Sequence, residues 1–488
     1  MKLVVSLFVL TVFSISAPAQ QRIIINGPPE DQSNVVHPKP NLVDIESKID
    51  NLLNEYMDLD LFSGVVLVTQ KGKPIYNKAF GMADVENNIP VNIDTRFDIG
   101  SMTKAFTKSI ILNLVYEGKL ELDDKLGQYL KGFSEIPSKQ VTIGHLLNHN
   151  SGFGDYHTPE YMKLPAEQKT ISAILDIARK QGLLFTPGEG DMYSNIGYVL
   201  LGAIIQEVTG KPYNKVVEER ILKPLKLNNT FLNKKYSIPN RAIGYETGIT
   251  GELKNSDYLQ LNPTPAGSFM STATDMLKFF RAYYYGEKLW KEGAKKLERD
   301  YKFLKRLQSN GDAAMIAGGF AGVNSVSLVV LRDEISIIVL ANRNPPAAIE
   351  VGNGILEIIR GNEPMQPIKP IAPVIAKAYF ENGADYVKKN FDEFTRGTGM
   401  MQPKEDLLNE IGYALLQSGN REDLTNAITI FKLNTELFPN VANTWDSYGE
   451  ALLKSGNNDG ALRAYEKALE INPNIPSAMK MIKELKRN

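Results

Sequence analysis

Pro364, Pro367, Pro370 and Pro373 stand three residues apart. Proline holds φ at about −65° and has no backbone N–H to donate, so neither a continuous helix nor a paired strand passes through such a stretch. The spacing favours extended polyproline geometry and reads as a stiff linker over 363–373. The chain has 488 residues, 43% of them hydrophobic and 23% charged, enough to bury a sizeable core. The linker obliges it to build that core as two folded units, 42–362 and 374–488.

The first unit mixes helical and extended patterns. Leu42 to Met57 carries apolar residues at Ile45, Ile49, Leu52, Leu53 and Tyr56, one face of a helix. Gly64–Val68 and Pro74–Tyr76 are β runs around Lys71-Gly72, a hairpin signal. Val323–Leu331 and Ile335–Leu340 flank Arg332-Asp333-Glu334 in the same way, and a helix ends near Arg360-Gly361. From about 101 to 290 the pattern is mainly helical with long loops. Strands from both ends and helices from the middle predict an α+β fold. One antiparallel sheet would carry the terminal helices on one face and a helical insert on the other.

After the linker the pattern is all helical. Ala427, Phe431 and Pro439 precede Ala461, Tyr465 and Pro473 by 34 residues. Gly412 and Gly419-Asn420 precede Gly449 and Gly456-Asn457 by 37, so the upstream copy carries a three-residue insertion in its turn. With Trp445, Tyr448, Leu452 and Ala468, these positions resemble tetratricopeptide repeats. The resemblance implies an all-α stack of paired helices over 374–488, with 376–394 as a degenerate first pair and Ser477–Lys486 as a cap. Such a stack is either a groove for a protein or peptide partner or a stabilising appendage, since arrays of this kind usually need three or more repeats.

Met1-Lys2 precedes an apolar run from Leu3 to Ile15 and the small-residue triplet Ala17-Pro18-Ala19. That is the layout of a secretory signal peptide over 1–19, followed by a polar leader over 20–41. No later stretch reaches the roughly 18 apolar residues of a membrane span. The expectation is a secreted or periplasmic protein with no membrane span after signal cleavage. Lys+Arg is 55 against Asp+Glu 56, so the basic surplus of a nucleic-acid binder is missing. With no cysteine, disulfides, thiol nucleophiles, thiolate zinc sites and iron–sulfur clusters are excluded. Nothing in the chain calls for a cofactor.

Chemistry must therefore rest on other side chains. Ser101-Met102-Thr103-Lys104 follows Gly100 and opens a long apolar helix ending near Gly118. A serine in a first helical turn has its Oγ near the positive helix end, and a lysine three residues on shares its face. Taken alone, the pair reads as a simple N-cap serine with a surface lysine; Ser477 and Lys480 repeat the spacing inside the repeats. Tyr193-Ser194-Asn195 is the one Tyr-x-Asn among 21 tyrosines and precedes the helical run Ile196–Val208. Between them lies Thr142–Phe153, and after them Pro265–Asp275. His145 and His149 can share a helix face, but the intervening Leu-Leu-Asn lacks the glutamate of a zinc His-Glu-x-x-His motif, so no metal site is expected. A Ser-His-Asp triad on one of the four histidines, at 37, 145, 149 and 157, has no supporting motif.

These four segments, in this order, resemble the serine β-lactamase-related family: class C β-lactamases, penicillin-binding carboxypeptidases and related esterases and D-aminopeptidases. The resemblance covers about 42–362 and implies a β-lactamase/transpeptidase-like fold and acyl transfer to serine from a small ester, amide or peptide. Ser101 would be the nucleophile. Lys104 and Tyr193 would take its proton and pass it to the leaving group, with the Lys104 ammonium favouring a Tyr193 phenolate. Asn195 would hydrogen-bond Lys104 or the substrate amide. The family's third motif, Lys-x-Gly or His-x-Gly on the edge strand, is matched by Ile316-Ala317-Gly318-Gly319. Its glycines fit, and the N–H groups of Ser101 and Gly319 would still make an oxyanion hole. Its basic group is replaced by Ile316, with Arg343 as a candidate substitute. That loss argues against efficient β-lactam hydrolysis and for an esterase or peptidase-like hydrolase. The competing reading is a hydrolase fold with weakened catalysis that serves as a binding protein through its repeats.

Overall fold

The computed structural model describes residues 42–486 except 233–236, 260, 287, 292, 300, 369, 397–402 and 419. The expected signal segment and leader, with His37, lie outside the described residues. The chain divides into two compact units, Met1–Glu246 with Asn255–Gln366, and Thr247–Lys254 with Pro367–Asn488. No helix among the described residues is long and apolar enough to cross a membrane.

In the first unit, α1 (Leu42–Asp58) buries Ile45, Ile49, Leu52, Leu53 and Tyr56, the i, i+3, i+4 stripe of a core-facing helix. It is followed by β1 (Gly64–Gln70) and β2 (Lys73–Phe80). Lys71 and Gly72 between them both take positive φ, 49° and 74°, the two-residue turn whose twist matches its strands. The helical insert includes α2 (Lys104–Tyr116), α3 (Ile143–Leu147), α4 (Asn195–Thr209) and α5 (Ala273–Tyr285). The chain then returns as β3 (Ala313–Phe320), β4 (Val323–Val330), β5 (Ile335–Ala341) and α6 (Ala347–Arg360). The sheet order is β2-β1-β5-β4-β3, and every pair is antiparallel.

Alternate residues of the strands face two different cores. Val66, Val68, Val326, Leu328, Ile337 and Val339 pack with α1 and α6. Val65, Leu67, Val329, Ile338 and Leu340 pack with α2, α4 and α5. The central strands are buried on both sides, which is why they read as unbroken apolar runs. Phe106 of α2 stacks on Phe279 of α5 with centroids 3.7 Å apart, joining two helices of the insert.

The edge strand β3 meets the turn before α2 backbone to backbone. A Cβ on Gly318 would lie 2.4 Å from Ile99 O and 2.5 Å from Ser101 N. A Cβ on Gly100, whose φ is +49°, would lie 2.8 Å from Gly319 N. Only glycine permits both contacts.

The second unit is a run of helices, α7 (Ile371–Asn382), α8 (Ala384–Thr395), α9 (Lys404–Gln417), α10 (Arg421–Leu437), α11 (Ala442–Lys454), α12 (Asn458–Ile471) and α13 (Pro476–Leu485). Small residues sit where paired helices touch. A Cβ on Gly412 would lie 2.6 Å from the Phe431 ring, and one on Gly449 2.9 Å from the Tyr465 ring. The two copies thus use the same glycine-on-aromatic contact. Pro373 departs from the expected linker and falls in the first turn of α7, where its missing N–H would have no helical partner in any case. The second unit also includes 247–254, with Ile249 packed on its core, an addition that no sequence signal announced.

Gly318→Ala is expected to lower the stability of the first unit by about 1–3 kcal/mol, because neither backbone partner can retreat without moving the other. Thermal melting of the purified variant checks this.

Candidate active site

Ser101 lies in a single 3-10 turn, Gly100–Thr103, that runs directly into α2. The turn is tied from several sides. Buried Asp98 accepts from Gly100 N at 2.9 Å, and Ser325 of β4 donates to Ile99 O at 2.9 Å. Ile99 N donates to Phe269 O at 2.9 Å, and Phe269 N donates to Thr103 Oγ1 at 3.2 Å. The Ser101 side chain is thereby held with little freedom, in a residue only 8% exposed.

Lys104 is completely buried. Its Nζ has three polar neighbours: Ala266 O at 2.6 Å, Asn195 Oδ1 at 2.8 Å and Ser101 Oγ at 3.0 Å. The first is an obligate acceptor. The second is a carbonyl oxygen because the same amide's Nδ2 donates to Asp155 Oδ2. A neutral amine has two N–H donors and one lone pair, so it satisfies both acceptors and keeps its lone pair for the Ser101 hydroxyl proton. Electrostatics agree: burial pulls the amine from its usual 10.5 down to about 7, against a smaller opposing pull from Asp155.

Tyr193 OH donates to Ser101 Oγ at 2.7 Å. Its ring lies 4.8 Å from Lys104 Nζ and stacks on His149 with centroids 4.6 Å apart. The expected phenolate is not what this site favours. Burial pushes the Tyr193 phenol well up, and the Ser101 hydrogen bond offsets only part of that. Lys104, with its amine near 7, carries only part of a charge at neutral pH and is a weak source of the field a phenolate needs. Tyr193 therefore keeps its proton and donates it in the hydrogen bond to Ser101 Oγ.

His145 and His149 do not share a helix face. α3 ends at Leu147, and His149 takes φ +59° beyond it. His145 caps α3, its Nδ1 accepting from Thr142 N at 3.3 Å. The His149 ring lies between Tyr193 and Tyr198, and its Nδ1 accepts from Ser194 N at 3.0 Å. Burial, then the charges of Lys104, Lys108 and Arg299, push it down to about 3, so it packs as a neutral ring.

Gly318 and Gly319 lie against the Ile99–Ser101 backbone, as the third-motif alignment requires. Ile316 is half-buried and packs on the same core as α2, on the site's side of β3. Arg343 does not substitute for the missing base. It is buried, pairs with Asp60 at 3.3 Å and lies over the Tyr245 ring. Two members of the site were not anticipated. Ala266 contributes a backbone oxygen, which leaves no mark in a side-chain pattern. Asp155 follows the quoted Thr142–Phe153 segment by two residues and had no partner to suggest it.

Ser101 is expected to react with a fluorophosphonate at a rate that rises with pH through about 7 and levels above it, as the form of Lys104 with a free lone pair beside Ser101 Oγ becomes populated. Lys104→Met should lose both the rate and its rise, read from labelling time courses across pH.

The tetratricopeptide-repeat family model matches 442–475. The chain is 29% identical over 318 residues to penicillin-binding protein 4* of Bacillus subtilis strain 168, covering 59% of this chain and 70% of that protein. It is 31% identical over 238 residues to protein flp of Staphylococcus aureus, covering 48% of each, so it spans about half the length of that relative. The structure of the octameric penicillin-binding protein homologue from Pyrococcus abyssi has the same fold, with TM-score 0.56 at 22% identity over 67% of this chain and 81% of that one. The β-lactamase family model matches residues 49–358, which contain every side chain of the site described above. By that match, the chain belongs to the β-lactamase family of serine hydrolases.

Proposed function

We propose that this chain is a secreted or periplasmic hydrolase that cleaves a small ester, amide or peptide through an acyl-enzyme on Ser101. The observation that carries the reading is the closed set of hydrogen bonds in which Tyr193 donates to Ser101 Oγ and Lys104 lies 3.0 Å from it. The Ser101 hydroxyl proton passes to Lys104 Nζ as Oγ attacks the carbonyl carbon. The negative charge that develops on the carbonyl oxygen is met by backbone N–H groups of Ser101 and Gly319. When the bond to the leaving group breaks, Tyr193 donates its proton to that group and recovers one from Lys104. Water then attacks the ester, with the same two residues returning Ser101 to its hydroxyl form. The signal-like segment Met1–Ala19 supports the location.

Ile316 bears on the substrate. Two relatives are named for penicillin binding, but here the position that would meet a carboxylate is apolar. Esters, amides and peptides without a carboxylate at that point are the better substrates. The repeat unit is proposed to hold a peptide or protein partner. The competing reading, a binding protein with failed catalysis, expects no turnover and a pull-down that depends on 374–488 alone.

A panel of p-nitrophenyl esters, D-amino-acid amides and a chromogenic cephalosporin tests the reading. Ser101→Ala is expected to reduce turnover on the order of 10⁴-fold or more and to abolish fluorophosphonate labelling. Unchanged hydrolysis in that variant sinks the assignment. Ile316→Lys is expected to speed acylation by the cephalosporin about tenfold or more, the worth of one charged hydrogen bond.

A further inference from the structure

Asn195 carries two groups that are nearly the same shape and opposite in function. Its Oδ1 accepts from Lys104 Nζ at 2.8 Å, and its Nδ2 donates to Asp155 Oδ2. If the amide turned over, an N–H would point at the lone pair of the neutral amine. That lone pair is the one that must take the Ser101 proton, so the flipped amide would silence it. Nothing about the amide's own shape prevents the turn. What prevents it is the acceptor on its far side.

Asp155 is built for that task. Its other oxygen, Oδ1, accepts from His157 N at 2.9 Å and lies 2.6 Å from His157 Nδ1. Desolvation works against its charge, softened because the side chain keeps 44% of its exposure. The charge and hydrogen bonds of His157, with the bond from Asn195, outweigh it and hold the carboxyl below the ordinary carboxylate range. Two acceptor oxygens on opposite sides are needed here, which an amide cannot supply: with its one oxygen toward Asn195, its NH₂ would face the His157 N–H. The loop does not depend on this carboxylate. Ser194 Oγ donates to Gly154 O at 2.9 Å, Ser194 N donates to His149 Nδ1 at 3.0 Å, and Gln181 Nε2 donates to Asp155 O at 3.0 Å.

We infer that Asp155 is a positioning residue for the acyl-transfer reaction: through Asn195 it keeps a carbonyl, not an N–H, against Lys104 and so leaves the lysine lone pair to Ser101. The assignment rests on the proposed role of Lys104 as the base. It has a second consequence. Lys104 faces Ser101 in the turn that leads into α2, Tyr193 in the segment before α4, Tyr198 and the Asn195 amide on α4, neutral His149 after α3 and Ala266 O on the loop before α5. Asp155 is the charge that raises the lysine's proton affinity, so removing it lets Lys104 shed its proton at lower pH.

The test uses the full chain and the best p-nitrophenyl ester of the panel. Asp155→Asn is isosteric, and Asp155→Ala removes the acceptor outright; melting temperatures verify that both remain folded. Both are expected to lower kcat by roughly ten- to a hundredfold with KM unchanged, and to move the acid limb of the kcat profile to lower pH. Wild-type kcat in both variants overturns the assignment, as does a loss with the acid limb in place or a loss confined to KM. Wild-type protein that neither turns over nor takes the fluorophosphonate overturns the hydrolase reading itself and this assignment with it, so the wild-type control tells the two failures apart.

Discussion

A lysine amine shut away from bulk solvent sets the terms for everything else in the site. Lys104 is fully buried, and a lone ammonium in such a place costs several kcal/mol. The site answers with carbonyl oxygens from Asn195 and Ala266, which accept from the amine in either protonation state while burial brings its neutral form within reach near pH 7. Those acceptors come from segments about 90 and 160 residues away along the chain. The buried amine therefore gains its acceptors only once the insert has folded around α2.

The remaining parts of the site are shaped by the same burial. Desolvation keeps the proton on Tyr193, which points it at Ser101 Oγ. His149, squeezed between Tyr193 and Tyr198, is neutral as well and fixes the ring of Tyr193 by stacking rather than by charge. On the opposite side, β3 brings glycine backbone and the apolar Ile316. The serine is thus surrounded by dipoles and rings. The nearest fixed charge in the hydrogen-bonded set is Asp155, one residue removed from the amine.

Much of this was legible in the sequence. The hairpin at Lys71-Gly72, the helical face of 42–57, the 34-residue period and the order Ser101, Tyr193, Gly318 all depend on local patterns that persist in the fold. The parts that escaped depend on sums and on directions. Whether Tyr193 or Lys104 holds the proton is a contest between burial and charge, and spacing does not reveal how deep Lys104 lies. The separation of His145 from His149 turns on one positive φ at His149, which histidine adopts at modest cost. Ala266 acts through its carbonyl, which every residue has. Pro373 looked like part of a spacer because proline at the start of a helix and proline in a linker leave the same letter.

The sheet of the first unit is closed by a strand from near its start, β1, pairing with one from near its end, β5: Gly64 lies opposite Ala341. Closing so long a loop is cheap in equilibrium terms, because the entropy grows only with the logarithm of length, but it is slow. During synthesis β1 has β2 for a neighbour and an unpaired edge on its other side until residue 341 has emerged. The helices of the second unit find their partners within a few tens of residues. Of the two units, the one translated last has the shorter path to its native contacts, and the hydrolase unit must protect an open β edge while the ribosome finishes the strand that covers it.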